Sequence, residues 1–155
     1  MIIFLMLVSN ISCDQLSKSL VRSNVDDNES ISMLNNHITL MKVENAGAFL
    51  SLGDTLPLLV RLALLILLPV MVLGFGLFFI FRKKDISMAT LIGICCVLGG
   101  GIGNVFDRIM YGSVTDFLHI DFILFQTGVF NLADVSIMVG IFIVLFDSYR
   151  KRSLA

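Results

Sequence analysis

Charged residues are missing from long stretches of this sequence, and their absence decides the class of protein. No Asp, Glu, Lys or Arg occurs from Leu62 to Phe81, a run of 20 residues, or from Ile86 to Phe106, a run of 21. A bilayer core about 30 Å thick needs roughly 20 apolar residues in a helix. The hydrophobic fraction is 57%, whereas soluble globular domains have about 45–50%. The distribution therefore excludes a soluble domain and predicts two membrane spans.

The sequence also lacks the charge and the ligand patterns of several other classes. A net charge of −1 provides no basic surface for nucleic acid. Cys13, Cys95 and Cys96 do not have the spacing of a metal site, and His37 and His119 lack a second ligand at a useful spacing. We interpret the two adjacent cysteines as small apolar helix residues. The sequence therefore predicts no metal ion and no other cofactor.

Two further spans are predicted less directly at the ends of the chain. Residues 1–20 begin with an apolar run but carry Asp14 and Lys18, and residues 130–148 form a span only if Asp134 is accepted inside it or at its mouth. The N-terminal segment lacks the positive charge that opens a cleaved signal peptide, so we expect it to remain as a helix. The fold class is therefore a membrane all-α domain, 1–155, with four transmembrane helices. The predicted spans are 1–20, 57–81, 86–106 and 130–148, and the longer loops between them are 21–55 and 107–129.

Basic residues predict the orientation of these spans. Arg82, Lys83 and Lys84 follow the second span, and Arg150, Lys151 and Arg152 follow the fourth. Because cytoplasmic loops are enriched in Lys and Arg, both termini should be cytoplasmic and both longer loops should face outward.

A short strand is predicted in the first outer loop. Apolar and polar residues alternate over His37–Glu44, and Asn45-Ala46-Gly47 then breaks the pattern in the manner of a turn. We expect a small β-sheet that forms a cradle on the outer membrane surface.

Polar side chains collect at one predicted depth, the outer ends of the spans. Charges near a bilayer are costly and are usually functional. The residues are Asp14 and Lys18 on the first helix, Asn104, Asp107 and Arg108 on the third, Asn131 and Asp134 on the fourth, and Asp116 in the loop between the last two. A random scatter of polar residues would not produce this convergence.

Several of these features also have an explanation without chemistry. Asp14 and Lys18 are four residues apart and suit a local ion pair on one helix. Asp107 and Arg108 suit interfacial anchors, with the Arg108 side chain extending to the headgroups. Close helix packing explains the glycines at positions 99, 100, 101 and 103.

Asp116 and Asp134 are harder to explain in this way. Both lie among apolar residues, and no Lys or Arg occurs within four positions of Asp134. Two carboxyl groups brought together share one proton, because both cannot ionise side by side. The ionised carboxyl can then take a proton from a water that attacks a carbonyl, while the neutral one protonates the carbonyl oxygen and the leaving amine. The spacing does not show that the two side chains meet, so the structural and catalytic interpretations both stay open.

Five short blocks, in order along nearly the whole chain, resemble the lipoprotein signal peptidases of bacteria. This family is also called signal peptidase II and is aspartic peptidase family A8. The blocks are Asp14–Lys18 (DQLSK), Asn45–Phe49 (NAGAF), Gly103–Arg108 (GNVFDR), Gly112–Phe117 (GSVTDF) and Phe130–Asp134 (FNLAD). Any one block is weak evidence, but all five in order on a small four-span protein are specific.

The resemblance implies an enzyme of the bacterial cytoplasmic (inner) membrane with its active site at the outer leaflet. It would remove the signal peptide from a prolipoprotein, cutting just before a cysteine that carries a diacylglyceryl group. The implied partners are such prolipoproteins and membrane lipids, and we expect a monomer. The implied residue roles are catalysis by Asp116 and Asp134, binding of the substrate or lining of the site by Asn45, Gly47, Asn104, Arg108 and Asn131, and support by Asp14, Lys18 and Asp107.

The sequence departs from the family pattern at two places. Ser17 stands where threonine is common, which keeps the hydroxyl group. Thr127-Gly128-Val129 lacks a proline that often precedes the last block. The first departure is mild, and the second puts the rigidity of this loop in doubt.

Two other classes of function are consistent with the apolar runs. A proton-coupled carrier could use buried aspartates as a relay, but it should place ionisable groups through the membrane depth. A structural four-helix subunit would tolerate Asp116→Asn and Asp134→Asn almost silently.

Overall fold

The computed structural model describes residues 1–48, 53–83, 85–122 and 125–153. Phe49 of the second motif block and Lys84 of the first basic cluster lie outside these residues. The described residues form four long helices and four strands. The helices are α1 (Ile2–Asn24), α2 (Leu58–Arg82), α3 (Met88–Tyr111) and α4 (Leu132–Ser153), and the strands are β1 (Ser30–Met33), β2 (Ile38–Asn45), β3 (Val114–Phe122) and β4 (Phe125–Gln126).

Three of the helices are long and apolar enough to cross a membrane. They are α2 with 25 residues, α3 with 24 and α4 with 22, which makes the chain a multi-pass membrane protein. The polar residues Asn10, Asp14, Gln15 and Lys18 lower the hydropathy of α1, which is not among the three. The passage of α1 through the bilayer, as the first of four spans, stays a prediction.

The third helix continues past its predicted end at residue 106. It ends at Tyr111, because Gly112 adopts the left-handed conformation, with φ 80°, that commonly closes a helix. Asp107 and Arg108 therefore lie on the last turns of α3 rather than in a loop 107–129. The strand β3 occupies part of the same segment, and its first four residues are buried.

The strands form the small antiparallel sheet that the sequence predicted. Their order is β1-β2-β3-β4, and β2 coincides with the strand expected at His37–Glu44. Val43 of β2 lies opposite Asp116 of β3, and Asn45 lies opposite Val114. The last residues of β2 and the first residues of β3 therefore meet at one end of the sheet, next to the C-terminal end of α3.

The predicted role of the α3 glycines in close helix packing is confirmed. A Cβ atom on Gly100 would clash with the carbonyl oxygen of Ala133 in α4, and one on Gly103 would lie 2.5 Å from the Oδ2 atom of Asp14 in α1. Gly99 and Gly101 pack in the same way against α1 and α2. The missing side chains let three helices approach α3 closely, which brings their polar groups together at its C-terminal end.

The opposite end of the bundle is tied together by a carboxylate that the sequence reasoning did not single out. Asp147 of α4 is buried, and its Oδ2 atom accepts hydrogen bonds from the hydroxyl groups of Ser87 and Thr90 and lies 2.6 Å from Nζ of Lys151. Ser87 is also the N-cap of α3 and accepts a hydrogen bond from the Thr90 backbone N–H. The first turn of α3 is therefore joined to the last turns of α4.

We expect Gly100→Ala to destabilise the protein by about 1–3 kcal/mol, because the added methyl group forces α3 and α4 apart. Gly74→Ala is the matched control, since a Cβ atom at Gly74 meets nothing within 4 Å. Thermal unfolding of both variants in detergent measures the difference. Equal melting temperatures for the two variants would show that the close approach at Gly100 does not limit packing.

Candidate active site

The strand β3 holds Asp116 in a buried position at the end of the sheet. Thr115, the preceding residue, is fixed from two sides: its Oγ1 atom donates to Glu44 (2.8 Å) and accepts from Nε of Arg22 (2.7 Å). Asp116 itself is 4% exposed. The strand end that carries this carboxyl is therefore bonded both to β2 and to α1.

The segment just before α4 is hydrogen-bonded to the same strand, β3. The backbone N–H of Phe130 donates to the carbonyl of Leu118 (2.9 Å), and the Phe130 carbonyl accepts from the N–H groups of Phe117 and Leu118 at 3.0 and 2.8 Å. These bonds place Asn131, the residue before α4, beside Asp116.

Asn131 and Asp134 form a reciprocal capping arrangement at the N-terminus of α4. The Asp134 N–H donates to Oδ1 of Asn131 (2.9 Å), and the Asn131 N–H donates to Oδ2 of Asp134 (3.2 Å). Such pairs satisfy backbone N–H groups that the helix itself leaves free. The Asp134 carboxylate therefore has a fixed orientation in the first turn of a helix, where negative charge is stabilised.

The side chain of Asn131 connects this carboxylate to Asp116. Its Nδ2 atom donates to Oδ1 of Asp116 (2.6 Å), while its backbone N–H holds Asp134. Both aspartates line one pocket of about 320 Å³, together with Asn45, Asn104 and Arg108. The structure thus brings together the two carboxyl groups that the sequence could not show to be neighbours.

Asn45 contacts the other oxygen of Asp116. Its Nδ2 atom donates to Asp116 Oδ2 (3.0 Å), and its Oδ1 atom accepts the backbone N–H of Gly47 (3.0 Å). The turn after β2 therefore fixes the amide so that its donor group, and not its oxygen, faces the carboxylate.

Arg108 reaches from α3 to the same turn. One of its terminal nitrogens donates to the carbonyl of Gly47 (2.8 Å), and its side chain lines the pocket. Its Nε atom is buried and has no hydrogen-bond partner among the described residues. The guanidinium group places a positive charge beside the two carboxyl groups.

Lys18 is completely buried at the centre of a network that joins α1 to α3. Its Nζ atom lies 2.9 Å from Asp14, 2.8 Å from Asp107 and 2.8 Å from the Oδ1 atom of Asn104. The local Asp14–Lys18 ion pair exists, but it is only part of this network. Because Lys18 binds the Asn104 oxygen, the Asn104 amide nitrogen is free to donate to Asp134 Oδ1 (2.9 Å). Asp107 is therefore an internal ion-pair partner and is not an interfacial anchor, since it is fully buried.

Sequence reasoning missed two members of this network, Gln15 and Arg22. Gln15 donates to Asp107 Oδ1 (3.0 Å) and to the Gly103 carbonyl (3.2 Å). Arg22 lies 3.0 Å from Asp107 and stacks over the Tyr111 ring at 4.0 Å. The spacing of Asp14, Lys18 and Arg22 at four-residue intervals puts all three on one helix face, and this pattern could have revealed Arg22.

Burial raises the pKa of Asp116 to about 6. The nearby Asp134 carboxyl also raises the pKa, while the amide donors of Asn45 and Asn131 lower it. The group keeps its proton to a higher pH than an ordinary aspartate, which suits a carboxylic acid that must donate a proton near neutral pH. Among the described residues, no three His, Cys, Asp or Glu side chains are grouped to hold a metal ion.

The overall fold is that of bacterial membrane enzymes. One solved structure of a bacterial membrane enzyme, determined by the in meso method at 2.3 Å, superposes with a TM-score of 0.86 over 97% of this chain and 89% of its own, at 18% identity. A second, at 1.9 Å, gives a TM-score of 0.82 over 94% and 90% of the two chains at 19% identity. These likenesses show the fold alone. Together with the apolar helices α2, α3 and α4, they define the class as a multi-pass membrane protein.

Sequence comparison identifies the family within that class. The family described as "Signal peptidase (SPase) II" matches residues 5–150. A lipoprotein signal peptidase of Clostridioides difficile is 33% identical over 97% of this chain and 100% of its own. Similar proteins of Wigglesworthia glossinidia brevipalpis and Streptococcus pneumoniae are 33% and 31% identical, each over 92% of this chain and over 91% and 88% of their own. The chain therefore belongs to the signal peptidase II family and is a peptidase.

We expect Lys18→Met to destabilise the protein by about 3–5 kcal/mol, because it leaves the buried carboxylate of Asp14 without a cation and the buried carboxylate of Asp107 with Arg22 alone. Lys42→Met is the control, since Lys42 forms an ion pair with Asp27, whose side chain is 81% exposed. Exposed pairs contribute little to stability, so this variant should keep its melting temperature. Equal losses of thermal stability for the two variants would contradict a central role for Lys18.

Proposed function

We propose that this protein is an aspartic endopeptidase that removes the signal peptide from diacylglyceryl-modified prolipoproteins. It cuts just before the lipidated cysteine, and Asp116 and Asp134 are its catalytic pair. The observation that carries the proposal is the position of Asn131, which holds both carboxyl groups at the wall of one pocket. Family membership supports the substrate, since the relatives are lipoprotein signal peptidases.

The surroundings of the two aspartates support different roles in the reaction. The pKa of Asp116, raised to about 6, favours it as the member that carries the shared proton. Asp134 lies at a helix N-terminus and accepts two hydrogen bonds, from the Asn104 amide and the Asn131 N–H. These donors stabilise its negative charge, which favours Asp134 as the base.

The chemical steps follow from these roles. Asp134 takes a proton from a water molecule, whose oxygen attacks the scissile carbonyl carbon, and Asp116 donates its proton to the carbonyl oxygen. The tetrahedral intermediate then collapses, the C–N bond breaks and a proton passes to the leaving amine. The products are a carboxylic acid and an amine, and the pair again holds one proton.

The remaining polar residues of the pocket suit the binding of a peptide. The guanidinium group of Arg108 lines the pocket and can donate to a substrate carbonyl. The turn after β2 lies at the same wall of the pocket as Asp116, and it contains Asn45, Gly47 and Ala48. Asn104 orients Asp134 by donating a hydrogen bond to its carboxylate. Lys18 in turn holds the Asn104 oxygen, and Asp14 and Asp107 hold Lys18.

We place the site at the outer leaflet of the bacterial cytoplasmic membrane. Asp134 lies at the N-terminal end of α4, whereas Arg150, Lys151 and Arg152 lie in its last turn. By the enrichment of basic residues in cytoplasmic loops, the pocket then faces outward and both termini are cytoplasmic, with α1 as a fourth span. The substrate arrives laterally with its acyl chains in the bilayer, and the enzyme acts as a monomer.

The position of the ionisable groups argues against a proton-coupled carrier. A relay needs titratable groups through the membrane depth. The sequence has none from Leu62 to Phe81 and from Ile86 to Phe106 apart from the cysteines, and none from Val135 to Phe146. Asp14, Asp107, Asp116 and Asp134 instead lie toward one end of the helix bundle, which favours chemistry at the membrane surface.

We expect Asp116→Asn and Asp134→Asn each to reduce cleavage by at least about 10³-fold, because neither variant can hold one proton between two carboxyl groups. The assay follows loss of the signal peptide from a diacylglyceryl-modified prolipoprotein by gel shift. Asp121→Asn is the control, because Asp121 lies on the same strand with an exposed side chain. Substantial cleavage by the folded Asp134→Asn protein would refute the catalytic pair and favour a structural role.

We expect kcat/KM to fall as the pH rises above about 6, because the active pair needs the proton that Asp116 loses there. Asn45→Ala removes an amide that lowers this pKa, so the decline should move to higher pH. The pH profiles of both proteins test this. A profile that rises through pH 6, or a decline that moves to lower pH in Asn45→Ala, would show that Asp116 does not carry the shared proton.

A further inference from the structure

The helix α2 is irregular at the level of the pocket. Its residues Ala63–Leu67 form a π-helical segment, between α-helical segments at Leu58–Leu62 and Leu68–Arg82. π-helical turns are rare and frequently occur at functional sites. Pro69 follows the π segment closely, and it is one of only two prolines in the chain.

These two features leave two backbone carbonyls of α2 without their α-helical donors. The N–H of Leu68 donates to the carbonyl of Ala63. The Leu64 carbonyl would accept from residue 68 in an α-helix and from residue 69 in a π-helix. Residue 68 is already engaged, and Pro69 has no N–H to donate. The Leu65 carbonyl would accept from residue 69 in an α-helix, so Pro69 removes its donor as well. The carbonyls of Leu64 and Leu65 therefore both lack the donor that a regular α-helix would supply.

The irregular segment lies at the pocket that contains the aspartates. Leu64, Leu65 and Pro69 line that pocket together with Asp116 and Asp134. In a membrane helix, a free carbonyl is tolerated only where it faces protein or a cavity, because lipid cannot donate a hydrogen bond. The break in the helix and the pocket therefore occur together for a physical reason.

We infer that the carbonyl groups of Leu64 and Leu65 supply an acceptor for a backbone N–H of the substrate. This inference rests on the proposed function and adds a positioning group to it. Asp116 and Asp134 come from β3 and α4, while α2 forms a separate wall of the pocket. A peptide held between these walls can bond to one of these two carbonyls through its own backbone. This bond would fix the scissile carbonyl next to Asp116 and Asp134 whatever the side chains of the substrate.

The test uses a synthetic diacylglyceryl-modified prolipoprotein peptide in which single amide N–H groups are replaced by ester oxygens. The scan covers the amides on both sides of the scissile bond but leaves the scissile amide intact. In the wild-type protein, we expect one ester to lower kcat/KM by up to about tenfold, because it removes the N–H that donates to the α2 carbonyls. Pro69→Ala restores an N–H in the helix, so it should lower kcat/KM for the all-amide peptide to a similar extent. The same ester should then cause no further loss.

The other proline supplies the matched control. Pro57 precedes α2 at its N-cap position, and Pro57→Ala should keep both the wild-type rate and the wild-type ester penalty. Pro69→Gly, which also restores the N–H, should behave like Pro69→Ala and guards against a defect specific to one substitution. A wild-type protein that cleaves the all-amide peptide but shows no sensitive ester would overturn the inference, as would an unchanged ester penalty in both Pro69 variants. Failure of the wild-type protein to cleave the all-amide peptide would instead refute the proposed function.

Discussion

The buried ammonium group of Lys18 is the interaction on which the rest of this structure depends. An unpaired charge that is fully buried would be prohibitively costly, so Lys18 needs partners from other elements. It takes Asp14 from its own helix and Asp107 and Asn104 from α3. The position of α1 against α3 is thus determined by electrostatic pairing, because apolar packing has no preference between another helix and lipid.

The ammonium group of Lys18 also affects the chemistry of the pocket indirectly, through Asn104. An asparagine amide can present either its oxygen or its nitrogen to a neighbour. By binding the oxygen of Asn104, Lys18 leaves the nitrogen to donate to Asp134. Asp14 has a comparable double role, since its Oδ1 atom accepts the N–H of Ala133 in the first turn of α4 (2.9 Å). Three helices and one carboxylate of the pair are therefore oriented by one connected set of hydrogen bonds.

Close packing and local irregularity complement each other in this arrangement. The glycines of α3 allow the approach of α1 and α4 that the ion network requires, as the contact between Gly103 and Asp14 shows. On the wall of the pocket formed by α2, the π segment and Pro69 interrupt the helix. A regular helix there would use all of its backbone carbonyls in its own hydrogen bonds. The superposition with bacterial membrane enzymes at 18% identity indicates that such a fold tolerates extensive change in sequence.

The sequence by itself determined that the chain is a membrane protein, because uncharged runs of 20 and 21 residues have no place in a soluble domain. It also determined the family, since the five motif blocks depend only on residue order, and it predicted β2 and the packing role of the glycines. The end of α3 and the strand β3 were not foreseen, because a buried strand lacks alternation and a helix end depends on one left-handed glycine. Only the tertiary structure decided the meeting of Asp116 with Asn131 and Asp134, the neutralisation of Asp107 by Lys18 and Arg22, and the π-helical register that takes the Leu68 N–H away from the Leu64 carbonyl. Each of these is a contact between separate elements or a choice between hydrogen-bond partners, and no local pattern of residues encodes such a choice.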